Sequence, residues 1–524
     1  MKACLQTTVA SAFVLVLICF VSGCAPGGQG GGAAGGADKG RYLTRINPAF
    51  MVTPEEAYAW HALKDRGGPT YSGNASWQAY MAFLEKKLAA CGVVDLVKNK
   101  WTYNRWSTSD WPDDSRWGLV SDGAPVKAAH YGAYSGATGP AGITAPLAVY
   151  DPQAPAESFK GKILVFKTLP HPRPPLDDEY KKWFTLNDYE YRDPDGGFPP
   201  LFTPVPPSET VSFDVWWQLR QTAMVHRILN QTGAAGGVVV FDMSYRRLAG
   251  LYTFPVMPAY HAPNLYVDRV AGAKVLKDAM AGKTATLRLE AEVTPTETYQ
   301  LIGFLPGRDY GTARDEQIML VSHTDGPAVL QDNGALGVLA IVAYFSHIPQ
   351  AERPRTLMVY LDNRHYMPGM EAAFAKQDWL ARNPDAKKRI VALVATEHLG
   401  QIEFREAGGD YAPTGRVEPA FLWTRNDQRL IDMAVAAVKA HSWPRVMVQC
   451  VERPGRNGGP QGIWYGMGKL ALDLNLPACG MMGTQGAYWA TTARIDTFDR
   501  LHFCTEAAVM SRLTGELMQM RFRP

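Results

Sequence analysis

The sequence predicts an α/β fold: a mostly parallel mixed sheet flanked by helices, with a β-rich region inserted ahead of it. Three observations predict this. From Tyr299 onward, short apolar runs alternate with longer helical ones, the pattern of strand–helix–strand units. Each of those short runs ends in polar residues able to do chemistry. Between about Gly118 and Leu289 the texture changes to brief Val- and Ile-rich runs broken by Gly and Pro, which suits a compact strand-rich domain.

The bulk numbers set the frame. At 524 residues the chain exceeds what one core usually holds, so two or more domains are expected. A composition of 46% hydrophobic and 20% charged residues is ordinary for a globular protein. The net charge is +3 with no long basic run, which argues against a nucleic-acid partner, because phosphate binding needs clustered Lys and Arg. The 14 Trp, 23 Tyr and 20 Phe suit a large core or a cleft for organic ligands.

The N-terminus reads as an address. Lys2 supplies positive charge, and VASAFVLVLICFV follows from Val9, shorter than the roughly 20 residues a spanning helix needs. Val21-Ser22-Gly23-Cys24 then resembles a bacterial lipobox, which implies cleavage before Cys24 and lipidation of its thiol. An ordinary secretory signal and an uncleaved anchor are the alternatives. Ala25, rather than Asp, after the cysteine favours the outer membrane in the enteric sorting rule. The expected location is therefore the cell envelope, with the membrane contacted through a lipid anchor, which holds stably when more than one acyl chain is attached. Residues 1–23 are read as signal peptide, and 24–50 as the lipidated cysteine and a flexible Gly-rich tether. Cys91, Cys450, Cys479 and Cys504 remain, as disulfide partners or buried thiols, with no Cys-x-x-Cys pattern among them.

Residues 51–117 are helical, then extended. In SWQAYMAFLEKKLAAC, Trp77, Tyr80, Met81, Leu84 and Leu88 share one helical face; Asn74 or Ser76 can cap its start and Gly92 stops it. The β-rich domain is placed at 118–290, with ITAPLAVYD, GKILVFKTL and GAAGGVVVFDM as strands. Pro, aromatic and acidic residues interrupt it at about 171–209, as a lid over a cleft or as a surface excursion. Residues 296–524 form the α/β part. Strands are expected at 317–323, 355–362 and 389–398, with helices at 334–347 and 368–383 between them.

The strand ends carry the chemistry. They are His323 and Asp325, Arg364 and His365, Glu397 and His398. Ligands of open α/β sheets bind outside the carboxyl ends of the strands, so neighbouring strands would bring these three clusters to one edge. Imidazole and carboxylate suit zinc and related divalent ions. Asp325 is spaced to orient His323 rather than to bind metal. Asp332 can bridge two metals, cap the helix at Gly334, or do both. His365 and His398 are each read as a ligand or as a packed histidine. Glu397, ending an apolar strand, needs a cation or strong donors. Gly132-Ala133-Tyr134-Ser135-Gly136 lacks the Gly-x-Ser-x-Gly spacing and its strand–turn–helix setting, so a serine hydrolase is rejected.

These motifs resemble the co-catalytic zinc aminopeptidases, metallopeptidase family 28. RGGPTYSGNASWQAYMAFLEKKLAACGV is similar to that family's N-terminal lead-in. AYSGATGPAGITAPLAVYD, FKGKILVF and GAAGGVVVFD resemble its inserted protease-associated domain, and VSHTDG, QDNGALG and ATEHLG resemble its metal motifs. The resemblance implies the same mostly parallel sheet between helices. It implies His323 as first histidine ligand, Asp325 as its support and Asp332 as the bridging aspartate. The family follows the second strand with a Glu-Glu pair, general base then ligand; here Arg364 and His365 stand there. Arg364 cannot be a base, because guanidinium stays protonated, whereas His365 can bind metal. Glu397 replaces an aspartate ligand, and in YWATTARIDTFD Thr492 stands in place of the last histidine ligand, ahead of Asp496-Thr497.

The centre so implied holds one divalent ion, or two with altered ligands, expected to be zinc and held by His323, Asp332, His365 and Glu397. Glu397, His398 or Asp325 takes the proton from water. Arg364 holds a substrate carboxylate or stabilises an oxyanion. The expected function is an envelope-anchored, metal-dependent hydrolase of peptide or other amide bonds, aminopeptidase-like. The alternative is a catalytically inactive binding protein using the same cleft. The replacement ligand His365 favours the first; the lost base and lost histidine favour the second.

Overall fold

Side-chain alternation explains the central sheet. Along Gln317–His323, Ile318 and Leu320 enter one core while Met319 and Val321 enter the other. Thr356–Asp362 divides Leu357, Val359 and Leu361 from Met358 and Tyr360 in the same way. Ile390–Thr396 divides Ala392 and Val394 from Leu393 and Ala395. Every residue of these strands is buried, which is why each reads as a continuous apolar run.

The computed structural model describes residues 40–169, 213–454, 460–462, 464–483 and 489–522. The expected signal peptide, Cys24, the expected tether up to 39 and the aromatic stretch at 171–209 lie outside the described residues. Among the described residues, no helix is long and apolar enough to cross a membrane.

The central sheet has eight strands. Their order is Val94–Ser107, Glu292–Leu305, Thr356–Asp362, Gln317–His323, Ile390–Thr396, Ala478–Gly483, Ala420–Thr424 and Val446–Cys450. Gln317–His323 is parallel to both its neighbours, and Ile390–Thr396 is parallel to Ala478–Gly483. Val94–Ser107 and Glu292–Leu305 form an antiparallel edge. Ala420–Thr424 runs antiparallel to Ala478–Gly483 and parallel to Val446–Cys450, so the sheet is mixed, with its parallel core where the predicted site lies.

Helices Pro54–Gly67, Ala75–Ala90, Gly334–Ser346, Gln428–Ala440 and Arg500–Gln519 share the larger core. Leu380, Trp464, Met467 and Ala471 pack on the opposite face. Ala75–Ala90 buries Trp77, Tyr80, Met81, Leu84 and Leu88. Asn74 caps it by accepting from the Trp77 amide at 2.7 Å, while the Ser76 hydroxyl donates to the Gly67 carbonyl instead. Gly92 leaves the helix with φ 83°, a conformation glycine adopts freely.

The helix expected over 368–383 is broken. It forms Met370–Ala373, a 3-10 turn at Ala375–Gln377, and Trp379–Arg382. Asp378 causes the break: its Oδ1 accepts from the Leu380 amide at 2.7 Å and so starts a new turn. Its Oδ2 is drawn elsewhere, to Arg364 and the Tyr360 hydroxyl.

A second eight-stranded sheet is built from residues between Trp117 and Leu289. Its order is Ala124–Val126, Trp117–Ser121, Thr284–Leu289, Ile143–Val149, Ile163–Lys167, Gly236–Val240, Asn264–Val267 and His130–Tyr131. Tyr366 and Met367, from the loop after Thr356–Asp362, pack into its core. Residues of this sheet's region therefore wall one side of the polar edge described next. Cys479 is buried in its strand, and the Cys504 thiol contacts the Val52 carbonyl at 3.5 Å.

Candidate metal centre

The three central parallel strands deliver their polar ends to one edge. Register pairs His323 with Asp362 across the sheet. Among the described residues, His323, Glu397 and His398 form a buried group whose potential ligand atoms all lie within 4.8 Å of one another.

The loop that follows His323 fixes the tautomer of its ring. Its Nδ1 lies 2.9 Å from the Asp325 backbone carbonyl. A carbonyl only accepts, so Nδ1 carries the proton and Nε2 presents its lone pair. That Nε2 is buried with no hydrogen-bond partner, and stands 3.7 Å from Glu397 Oε2. Ligands about 2.0–2.1 Å from a tetrahedral zinc sit roughly 3.3 Å apart, close to this spacing. Burial, and then the neighbouring His365 and His398, hold the His323 imidazole well below its ordinary pKa, which keeps it in the neutral ligand form.

Glu397 is held from the far side. The Met467 amide donates to its Oε1 at 2.7 Å. That amide reaches it because the preceding residue is Gly466, at φ 69°, where an added Cβ would sit 2.3 Å from both carboxylate oxygens. Burial pushes the Glu397 carboxyl up to about 7, against the opposing pull of His365 and the Met467 amide. His398 turns its ring to the cluster through a left-handed backbone, φ 58°, which costs a non-glycine residue about 1 kcal/mol or more. Burial holds its imidazole well below the ordinary value too.

The other predicted residues have different posts. Asp325 does support the His323 loop, but with its backbone carbonyl. Its carboxylate lies 3.9 Å from His323 Nδ1 and instead accepts the amides of His365 at 3.3 Å and Tyr366 at 2.7 Å. Burial lifts its carboxyl to about 7. His365 stands beside the trio, its ring centroid 4.4 Å from that of His323. Its Nδ1 is 2.7 Å from Glu371 Oε1. Burial alone would lower the His365 pKa; Glu371 outweighs it and raises it to about 9.

Two expectations are corrected. Arg364 does not face the site. Its guanidinium folds back on Asp362, with Nε 2.8 Å from Oδ1, and reaches Asp378 at 2.5 Å and the Phe374 carbonyl at 3.1 Å. A buried guanidinium shared by two carboxylates is spent on structure and has no fork left for a substrate. Asp332 neither caps the next helix nor faces the trio as a bridge. Its Oδ1 is 2.5 Å from the Lys64 ammonium and its Oδ2 accepts from the Thr70 hydroxyl at 2.5 Å. Asn333 occupies the N-cap position of Gly334–Ser346, and its side chain bonds the Leu399 backbone.

Thr492 lies in the segment that packs against Gly250–Tyr252, where the Tyr252 amide donates to the Trp489 carbonyl at 2.8 Å and Leu251 bridges Ala490. Sequence reasoning missed Lys64, Thr70, Glu371 and Gly466-Met467. Only Gly466 carried a local signal, as the glycine of WYGMG.

The donor set fits one divalent ion. Two imidazoles and a carboxylate, one of them with an orphaned buried lone pair, match zinc's preferences. A second ion shared through Asp332 does not fit, because both its oxygens are engaged.

No family model matches the sequence, and no curated protein matches it. Solved structures do share the fold. An aminopeptidase from Aneurinibacillus sp. strain AM-1 aligns with TM-score 0.57 at 13% identity, over 90% of this chain and 95% of that one. A zinc aminopeptidase from Bacillus subtilis aligns with TM-score 0.58 at 11% identity, over 89% and 95%. A peptidase M28 precursor from Shewanella amazonensis aligns with TM-score 0.59 at 14% identity, over 93% and 97%. The α/β architecture of this chain is therefore that of the zinc aminopeptidases.

Proposed function

We propose that this chain is a metal-dependent hydrolase of peptide or other amide bonds, working with a single divalent ion held by His323, Glu397 and His398. One observation carries the reading: three buried ligand side chains converge at the edge of parallel strands, and the His323 lone pair there has no partner. A buried lone pair left unmade costs about 1–3 kcal/mol, and a metal ion removes that cost. Zinc bound there supplies Lewis acidity to an amide carbonyl and acidifies water.

The chain's own residues set the rest. Asp325 fixes the loop that presents His323 and the backbone that presents His365. Glu371, itself half-buried, holds the buried His365 imidazole 2.7 Å away, a pair able to hold a proton beside the reacting amide. Phe254, edge-on to His365 at 5.0 Å, and Trp489 beside it give that side an aromatic wall suited to an apolar side chain. In this reading residues 118–290 are a protease-associated domain. Cys24 carries the lipid that anchors the enzyme in the cell envelope, at the outer membrane.

The second reading, an inactive binding protein on the same scaffold, is favoured by the loss of Arg364 to a structural ion pair. Elemental analysis of the purified mature chain, after dialysis against a weak chelator, separates the two. About one equivalent of zinc, falling in His323→Ala and Glu397→Ala without unfolding, supports the metal centre; cleavage of aminoacyl and peptide amides then supports the hydrolase. A double variant that retained full metal would sink the assigned site. No metal, and none taken up from added zinc, would favour the binding protein.

A further inference from the structure

The turn that carries Glu397 and His398 has a backbone that does not hold itself. Beyond Ile390–Thr396 the chain passes through two left-handed residues, His398 at φ 58° and Gly400 at φ 70°. Only the second is a glycine. Left to itself, the backbone at His398 favours another conformation, which would swing the imidazole away from His323 and Glu397. Leu399, between the two, is where the turn is gripped.

Asn333 supplies the grip. The Leu399 amide donates to Asn333 Oδ1 at 2.9 Å, and Asn333 Nδ2 donates to the Leu399 carbonyl at 2.7 Å. The two bonds run in opposite directions, which fixes which end of the side chain is oxygen. An asparagine in the N-cap place usually turns its oxygen to its own helix, and this one makes no such bond. The second proton of Nδ2 meets His61 Nε2 at 3.1 Å. His61 lies on Pro54–Gly67, is fully buried, and has its Nδ1 2.7 Å from the Ala57 carbonyl. That carbonyl only accepts, so Nδ1 carries the proton and Nε2 is the acceptor that Asn333 meets. Burial lowers the His61 imidazole to about 3, and its ring lies flat on Phe498, centroids 3.7 Å apart. On the far side of the turn, Glu506 Oε2 accepts from the Gly400 amide at 2.7 Å.

We propose that His61 is a positioning residue for the metal centre: through Asn333 it fixes the Leu399 backbone and so aims the His398 ring. The inference rests on the single-ion reading above.

The test is the zinc affinity of folded protein, read by competition with a chromogenic chelator. The visible spectrum of the cobalt(II)-loaded protein is recorded beside it, because it reports ligand geometry. Asn333→Ala is expected to weaken zinc binding about 10–100-fold, the usual effect of disturbing a group behind a ligand. His61→Leu keeps an apolar group in place but offers no acceptor; it should weaken binding about tenfold and alter the cobalt bands. His61→Gln can put an amide oxygen where Nε2 stands, and should restore both readouts.

A folded His61→Leu protein with wild-type zinc affinity and cobalt bands overturns the proposal, whatever stability it has lost. So does an equal loss in His61→Leu and His61→Gln, which would make packing on Phe498 the whole role of the ring. Should Asn333→Ala or His61→Leu fail to fold, the other, compared with His61→Gln, decides alone. A wild type that binds neither zinc nor cobalt defeats the single-ion reading and this inference with it. A wild type that binds one equivalent, matched by every variant, defeats this inference alone.

Discussion

Asp332 and Glu397 sit at the same sheet edge, equally buried, yet they are neutralised by opposite means. Asp332 meets a lysine delivered by the Pro54–Gly67 helix. Arg364 does the same for Asp362. Glu397 meets one backbone amide and an imidazole lone pair. One half of the edge is internally complete, and the other is complete only with something added. The comparison teaches that metal capacity cannot be counted from carboxylates and histidines alone. The cations already resident decide how many ligands remain.

The comparison can be attacked first where the resident cations are. Arg364→Met leaves Asp362 and Asp378 buried without their shared partner. Unfolding in urea should show a loss of about 3–5 kcal/mol. A loss below about 1 kcal/mol would erase the distinction between the two halves.

The next effect falls on the open half. Gly466→Ala places a methyl group against both Glu397 oxygens, on a backbone at φ 69° that alanine resists. Zinc affinity should drop about 10–100-fold, the usual effect of disturbing a group that holds a metal ligand. Competition with a chromogenic chelator measures it. Unchanged affinity would mean that Glu397 is not a ligand.

The smallest effect is on pH dependence. In metal-free protein the Glu397 carboxyl titrates at about 7 when folded, against an ordinary value of 4.5. Between those values the folded chain holds a proton that the unfolded chain has released. Unfolding free energy should therefore be highest below pH 4.5 and fall as pH rises to about 7. Asp325, raised from 3.8 to about 7, adds a slope of the same sign. Glu397→Gln should remove its share of that slope. Identical slopes in urea titrations of wild type and variant would rule out this role for Glu397.

The sequence exposed the strands of the edge but not their bookkeeping of charge. Gln317–His323, Thr356–Asp362 and Ile390–Thr396 were legible because strands covered on both faces must be apolar throughout. His323, Glu397 and His398 were legible as polar residues at strand ends, but the expected ligand set was His323, Asp332, His365 and Glu397, with His398 given a catalytic role. Lys64 was not legible. In HALKDRG it has the look of any helix-end lysine, and its partner is remote in sequence. The break at Asp378 was missed for a similar reason: the residue that restarts the helix also serves Arg364 and Tyr360. Local pattern reports which face is apolar; it does not report which distant charge a polar group will meet.

The antiparallel edge of the central sheet has a consequence for how the chain is made. Val94–Ser107 pairs with Glu292–Leu305, with Ser107 opposite Glu292. On the ribosome, the first strand must wait until the whole intervening sheet has emerged. Unpaired strands that wait invite the wrong neighbour. This one carries Lys98, Lys100 and Arg105, charges that discourage chance pairing. Lys98 also has an early partner in Glu85, 2.7 Å away on the helix synthesised just before it. The N-terminal helices can thus shelter the strand during synthesis, and the sheet that carries His323, Glu397 and His398 is completed from an edge kept in reserve.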